Sequence, residues 1–145
     1  MKRPIEAQLF GDMVAFIQRV QRDAEAVFSG RELSVAQFFI LSTLARAGAL
    51  MQADIASLLG VTAANVSQLV AKLVSAKLVR RSERGRAKLV SLTPKGRELV
   101  TALVPEHHAF LREQFRTLSA AERRSMRALM QRLLDATETD LDCGS

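Results

Sequence analysis

The 145-residue chain is 48% hydrophobic, has 7 Phe but no Trp or Tyr, holds one cysteine, and carries a net charge of +6. Length and composition suit one domain with a sizeable aliphatic, helical core, and they exclude a disordered chain and an internal disulfide framework. No apolar run approaches the roughly 18 residues of a membrane span, and MKRPIEAQLFGDM lacks the apolar core and cleavage pattern of a signal peptide, so a cytoplasmic protein is expected.

The first element is a helix. Ile5, Leu9, Met13, Phe16, Val20, Ala24 and Val27 recur at intervals of four or three, an apolar stripe that stops near Ser29 and Gly30. Ser34, with Gln37 three residues on, is a capping box; it opens a second helix through Phe38, Phe39, Leu41 and Leu44 to Gly48, with both phenylalanines in the core. A short third helix is predicted from about Gln52 to Leu59, ended by Gly60.

Thr62 opens the next helix, its hydroxyl able to cap a first-turn N–H, and TAANVSQLVAKLVS runs from it to Ser75. Val66, Leu69, Val70, Leu73 and Val74 fill one face. The opposite face holds Ala64, Gln68, Ala71, Lys72 and Ser75, flanked by Asn65 and Ser67. Small side chains allow close approach, and Asn, Gln and Ser can donate and accept hydrogen bonds toward base edges in a major groove. Ala56 is small where two axes would cross, Gly60 can take a left-handed turn, and Val66 packs the pair, as a tight helix-turn-helix requires.

After Ser75 the period changes. Leu78–Ser82 and Lys88–Leu92 read as two strands, joined by a turn over Glu83-Arg84-Gly85-Arg86-Ala87 centred on Gly85. A helix-turn-helix followed by a short basic hairpin is a winged helix. Between Lys77 and Arg97 eight basic residues stand against Glu83 alone, a net of +7 that leaves the rest of the chain at −1. One dominant sign, in a segment without helical periodicity, points to an anionic polymer. A wing tip bearing Arg84 and Arg86 can reach phosphates or enter a minor groove. The competing reading is an ordinary charged hairpin that guards a sheet edge.

Thr93-Pro94 caps another helix, with Leu99, Leu103, Phe110, Leu111, Phe115 and Leu118 as its apolar set and a kink or break expected near Val104, ahead of Pro105. Ser119 and Glu122 form a second capping box before a last helix that turns Met126, Leu129, Met130, Leu133 and Leu134 inward. The acidic tail ETDLDCGS is expected to fray. These outer helices extend beyond what one small lobe covers, so burial against a second copy is expected, through Ile5, Leu9, Met13, Met126, Met130, Leu133 and Leu134. Two recognition helices could then enter successive major grooves roughly 34 Å apart, on a palindromic double-stranded site.

The fold expected is mainly α: a winged helix-turn-helix of about six helices plus a two-stranded wing. Residues 1–33 would form an N-terminal dimerisation helix, 34–92 the DNA-binding region, and 93–145 C-terminal dimerisation helices, intertwined as one structural domain. Candidate DNA contacts are Thr62, Ala63, Ala64, Asn65, Ser67, Gln68 and Lys72 on the helix. Arg80, Arg81, Arg84, Arg86 and Lys88 supply those of the wing and its flanks.

Leu33-Ser34 with Gln37, Asp54-Ile55-Ala56 before Gly60, Val66-Ser67, Val79-Arg80-Arg81, and Val90-Ser91-Leu92-Thr93 with Gly96 together resemble the MarR family of bacterial transcription regulators. The resemblance implies a homodimer on operator DNA, usually a repressor released by a small phenolic or lipophilic ligand. It would place Phe16, Phe38, Ser42, His107 and Phe110 near a ligand pocket, with simple core as the alternative for each. The family wing commonly carries Asp-Arg-Arg in a longer loop. Here Glu83-Arg84-Gly85-Arg86 stands in a short one, leaving Arg84 and Arg86 both as candidates for the wing arginine.

Other classes have less behind them. His107 and His108 could suggest zinc, yet adjacent helical residues diverge by about 100° and no Cys or carboxylate joins them at ligand spacing, so neither metal nor cofactor is expected. Cys143 sits among acids that raise a thiol pKa, away from the amino-terminal position of the family's thiol sensors. No phosphate loop, metal cluster or nucleophile–base set is visible, so no catalytic residue is assigned and no enzyme is expected. A winged helix used for protein contact would have a neutral or apolar recognition face and wing; a DNA-compacting protein would bind without regard to sequence.

Overall fold

The computed structural model describes residues 1–31 and 33–142. Its elements are α1 (Ile5–Phe28), a 3-10 turn (Ser29–Arg31), α2 (Val35–Ala47), β1 (Leu50–Met51), α3 (Gln52–Leu59), α4 (Ala63–Ser75), β2 (Val79–Arg84), β3 (Ala87–Leu92), α5 (Pro94–Gln114) and α6 (Ala120–Asp142). Residues 1–107 and 108–145 form two compact units. Their boundary falls inside α5, whereas the sequence segmentation changes region after residue 92.

Both predicted capping boxes close. Gln37 N donates to Ser34 Oγ (3.1 Å) while Ser34 N donates to Gln37 Oε1 (2.9 Å). At α6, Glu122 N donates to Ser119 Oγ (3.1 Å) and Ser119 N to Glu122 Oε1 (2.8 Å). The backbone bond from Ser119, then the bond to its hydroxyl, holds the Glu122 carboxyl below its ordinary value. The bond that the Glu122 carboxylate accepts is therefore at full strength at neutral pH and weakens as pH falls through the lowered value, while the bond to Ser119 Oγ does not titrate.

The core of the first unit is one cluster: Phe28, Leu33, Phe38, Ile40, Leu41, Leu44, Ile55, Val66, Val70, Leu73, Leu78, Val79, Val90, Val100 and Leu103. Several sequence expectations are corrected here. Phe28, not Val27, carries the α1 stripe inward, because the stripe advances by four from Ala24; Val27 is 42% exposed. The Phe38–Phe39 pair divides, since successive helical residues point about 100° apart. Phe38 stacks on Phe28 with ring centroids 4.9 Å apart, whereas Phe39 is 46% exposed and lines a 430 Å³ groove with Leu58, Val61 and Leu69. Val74 also lies at the surface.

β1 has no counterpart in the sequence reading. It is two residues long, too short to show an alternating pattern, and it adds a third strand in the order β1-β3-β2 through Leu50↔Val90 and Met51↔Leu89. α5 continues as one helix through Pro105, so of the kink or break expected there the break does not occur. Val100 and Leu103, both buried just before the proline, hold that stretch against the core while one N–H is missing. α6 continues through Asp142 instead of fraying after residue 137, and Cys143 lies outside the described residues. Met126, Leu129, Leu133 and Leu134 of α6 are exposed on the single chain, not inward, and Met130 is half-buried. Among the described residues no single helix is long and apolar enough to cross a membrane.

Candidate nucleic-acid interface

α3 and α4 are bent by 112°, within the range of a helix-turn-helix. Gly60 makes the turn with φ 64° and ψ 33°, a left-handed conformation that strains most side chains. Gly60 N donates to Ser57 O (3.3 Å) and Val61 N to Ala56 O (3.2 Å), the paired bonds of a Schellman stop. Thr62 then caps α4, its Oγ1 accepting from Asn65 N at 3.2 Å. Val66, Val70 and Leu73 are at most 1% exposed and seat the helix, each contributing roughly 1.5–3 kcal/mol by burial. Ala63, Ala64, Asn65, Gln68, Ala71, Lys72 and Ser75 remain exposed, and Ser67 is half-buried.

The turn of the wing is shorter and tighter than the sequence suggests, and its strands are correspondingly longer. Arg84 pairs with Ala87, so only Gly85 and Arg86 form the turn. Gly85 has φ 62° and Arg86 does not share that sign, the pattern of a type II′ hairpin turn with glycine first. Arg84 therefore ends a strand and Arg86 occupies the tip; both are exposed.

The register also sorts the basic residues by face, since opposed residues project to the same side. Arg81 opposes the buried Val90, and its guanidinium donates to Ser67 O of α4 at 3.1 Å. Arg80 and Arg84 lie on the other face, opposite Ser91 and Ala87. One predicted DNA contact thus has a partner within the fold, tying the wing to the middle of the recognition helix. Periodicity could not reveal this, because the register depends on where the turn begins.

The carboxyl end of α4 is tied down as firmly. Lys77 N donates to Val74 O (2.9 Å) and Leu78 N to Leu73 O (3.0 Å), a second Schellman stop, with Lys77 at φ 62° where glycine is usual. Thr93 Oγ1 donates to Lys77 O (2.6 Å) and accepts from Gly96 N (3.0 Å), so one hydroxyl caps α5 and holds the end of α4. Lys95 Nζ donates to Ala76 O at 3.2 Å. A left-handed lysine costs about 1–2 kcal/mol. Lys77→Gly should therefore raise unfolding stability by about 1 kcal/mol in denaturant titration, and a loss of stability would show that the backbone there is unstrained.

The expected pocket residues are only partly brought together. Phe38 and His107 lie with ring centroids 4.9 Å apart, and His107 is 6.3 Å from Phe28. Ser42, one turn beyond Phe38, has a buried hydroxyl with no hydrogen-bond partner among the described residues. Phe16 is half-buried with Arg19 5.2 Å above its ring, and Phe110 belongs to the second unit. His108, the other half of the histidine pair, lines a 540 Å³ groove between α5 and α6 with Leu111, Phe115, Met126 and Met130.

Residues 32–88, the helix-turn-helix and most of the wing, match the MarR family. No curated protein sequence matches the chain. Among solved structures, BpsR of Bordetella bronchiseptica, whose DNA binding is regulated by 6-hydroxynicotinic acid, aligns at 27% identity with TM-score 0.80, covering 93% of this chain and 99% of its own. A probable transcriptional regulator from Pseudomonas aeruginosa aligns at 30% identity with TM-score 0.69, covering 86% and 98%. A mutant MarR from E. coli complexed with operator DNA shares the fold at 24% identity and TM-score 0.74, covering 89% and 96%. With the helix-turn-helix, its wing and near full-length likeness to these proteins in place, the chain belongs to the MarR family of winged-helix, DNA-binding transcription regulators.

Proposed function

We propose that the protein is a cytoplasmic, ligand-responsive repressor that binds a palindromic operator as a homodimer. The observation that carries this reading is the pairing of a small, polar, exposed face on α4 with a wing segment of net charge +7. The helix supplies groups that can discriminate bases and the wing supplies attraction to phosphate. Dimerisation is supported by Ile5, Leu9, Phe10 and Ile17 on α1 and Leu129, Leu133 and Leu134 on α6, each more than half exposed on the single chain. Effector response is supported by the aromatic group of Phe28, Phe38 and His107, by the buried Ser42 hydroxyl one turn from Phe38, which has no partner among the described residues, and by the ligand control of BpsR.

A gel shift with excess random DNA tests the core of the proposal, with sedimentation measuring the assembly. A retarded dimer complex that survives the competitor supports an operator-specific regulator. Equal competition by random DNA would leave a sequence-independent binder instead. Release of the complex by an aromatic acid, without loss of the dimer, would establish effector control.

A further inference from the structure

We infer that each recognition helix reads a half-site made of A·T pairs, with Gln68 bonded to one adenine and the methyls of Ala64 and Ala71 packed against thymine methyls beside it. This rests on the DNA-binding reading above and goes beyond it by naming the bases. Ala64, Gln68 and Ala71 are all exposed and lie four and three residues apart, one stripe along the outer face. At 1.5 Å per residue the stripe is about 10 Å long, which matches about three base-pair steps of 3.4 Å.

The chemistry of that stripe selects the bases. A glutamine amide can donate to adenine N7 while accepting from its N6 amino group. At guanine both N7 and O6 are acceptors, so the amide oxygen would face another acceptor and remain unsatisfied. An alanine methyl gains contact from the C5 methyl of thymine, which cytosine lacks. Guanine is chiefly read by arginine, and α4 has none. The nearest, Arg81, spends its guanidinium on Ser67 O. Lys72, one turn beyond Gln68, sits at the edge of the same face on the side away from Ala71 and lines a 530 Å³ groove with Glu25, Gln37 and Leu69, which leaves its charge for phosphate.

Selection of the full-length protein on randomised duplex DNA should enrich half-sites with a run of about three A·T pairs, and exchanging the central pair for G·C should weaken binding about tenfold or more. Replacing the central adenine by 7-deazaadenine removes only the N7 acceptor. It should weaken the wild-type protein about fivefold and leave Gln68→Ala, an exposed and fold-neutral change, nearly indifferent. An enriched G·C pair at the centre would overturn the inference. So would an A·T motif insensitive to the 7-deaza change, because the preference would then come from duplex shape. Absence of any enriched motif would overturn the inference together with the operator-specific reading beneath it, a result distinct from either of the others.

Discussion

Gly96→Ala should lower unfolding stability by about 3 kcal/mol, a drop of roughly 10 °C in melting temperature for a chain of this size. A methyl built at Gly96 would lie 2.0 Å from Leu78 O, 2.9 Å from Leu78 C and 3.2 Å from Leu92 Cδ2. The obstacle is backbone, so no rotamer change relieves it. Leu78 cannot retreat cheaply, since its N–H closes the α4 Schellman stop and its carbonyl accepts from Thr93 N at 3.1 Å. Thermal unfolding of the purified variant checks this; a melting temperature within about 2 °C of the parent would show that the α4–α5 junction opens without cost.

Arg84→Ala combined with Arg86→Ala should cost about tenfold in affinity for each arginine, on operator and random DNA alike. The log–log dependence of binding on salt should flatten by about 0.9 for each phosphate that is no longer neutralised, close to two units in all. Arg81→Ala makes the informative contrast. Its guanidinium holds Ser67 O, so removing it should weaken operator binding through misplacement of the wing while leaving the salt slope unchanged. A slope unchanged in the double variant would take the wing out of the interface, and a flattened slope in Arg81→Ala would make that residue a phosphate contact.

Local chemistry made most of this fold legible in the sequence. Capping boxes at Ser34 and Ser119, the turn at Gly60 and the Thr62 cap depend on residues within a few positions of one another, and each occurs where expected. What escaped depends on partners distant in sequence. β1 exists because Leu50 and Met51 meet Val90 and Leu89 about forty residues later. Phe39 resembles core because periodicity alone does not say where a helix face ends. Arg81 resembles Arg80 until strand register turns one toward α4 and the other away. Lys77 carries no signal at all, since its left-handed backbone occupies a place where sequence patterns lead one to seek glycine.

Because Lys77, Thr93 and Gly96 hook the last turn of α4 onto the first turn of α5, the recognition helix has no slack at that end. The two segments behave as the bit and shaft of one tool. The part of α5 inside the first unit, residues 94–107, is about 20 Å of rod. A tilt of roughly 8° about one end of such a rod moves the other by roughly 3 Å, nearly one base-pair step. If Gln68 reads an adenine as inferred above, whether it meets that base or the gap between two bases is a question of angle in α5, and no loop at this junction needs to rearrange to change the answer.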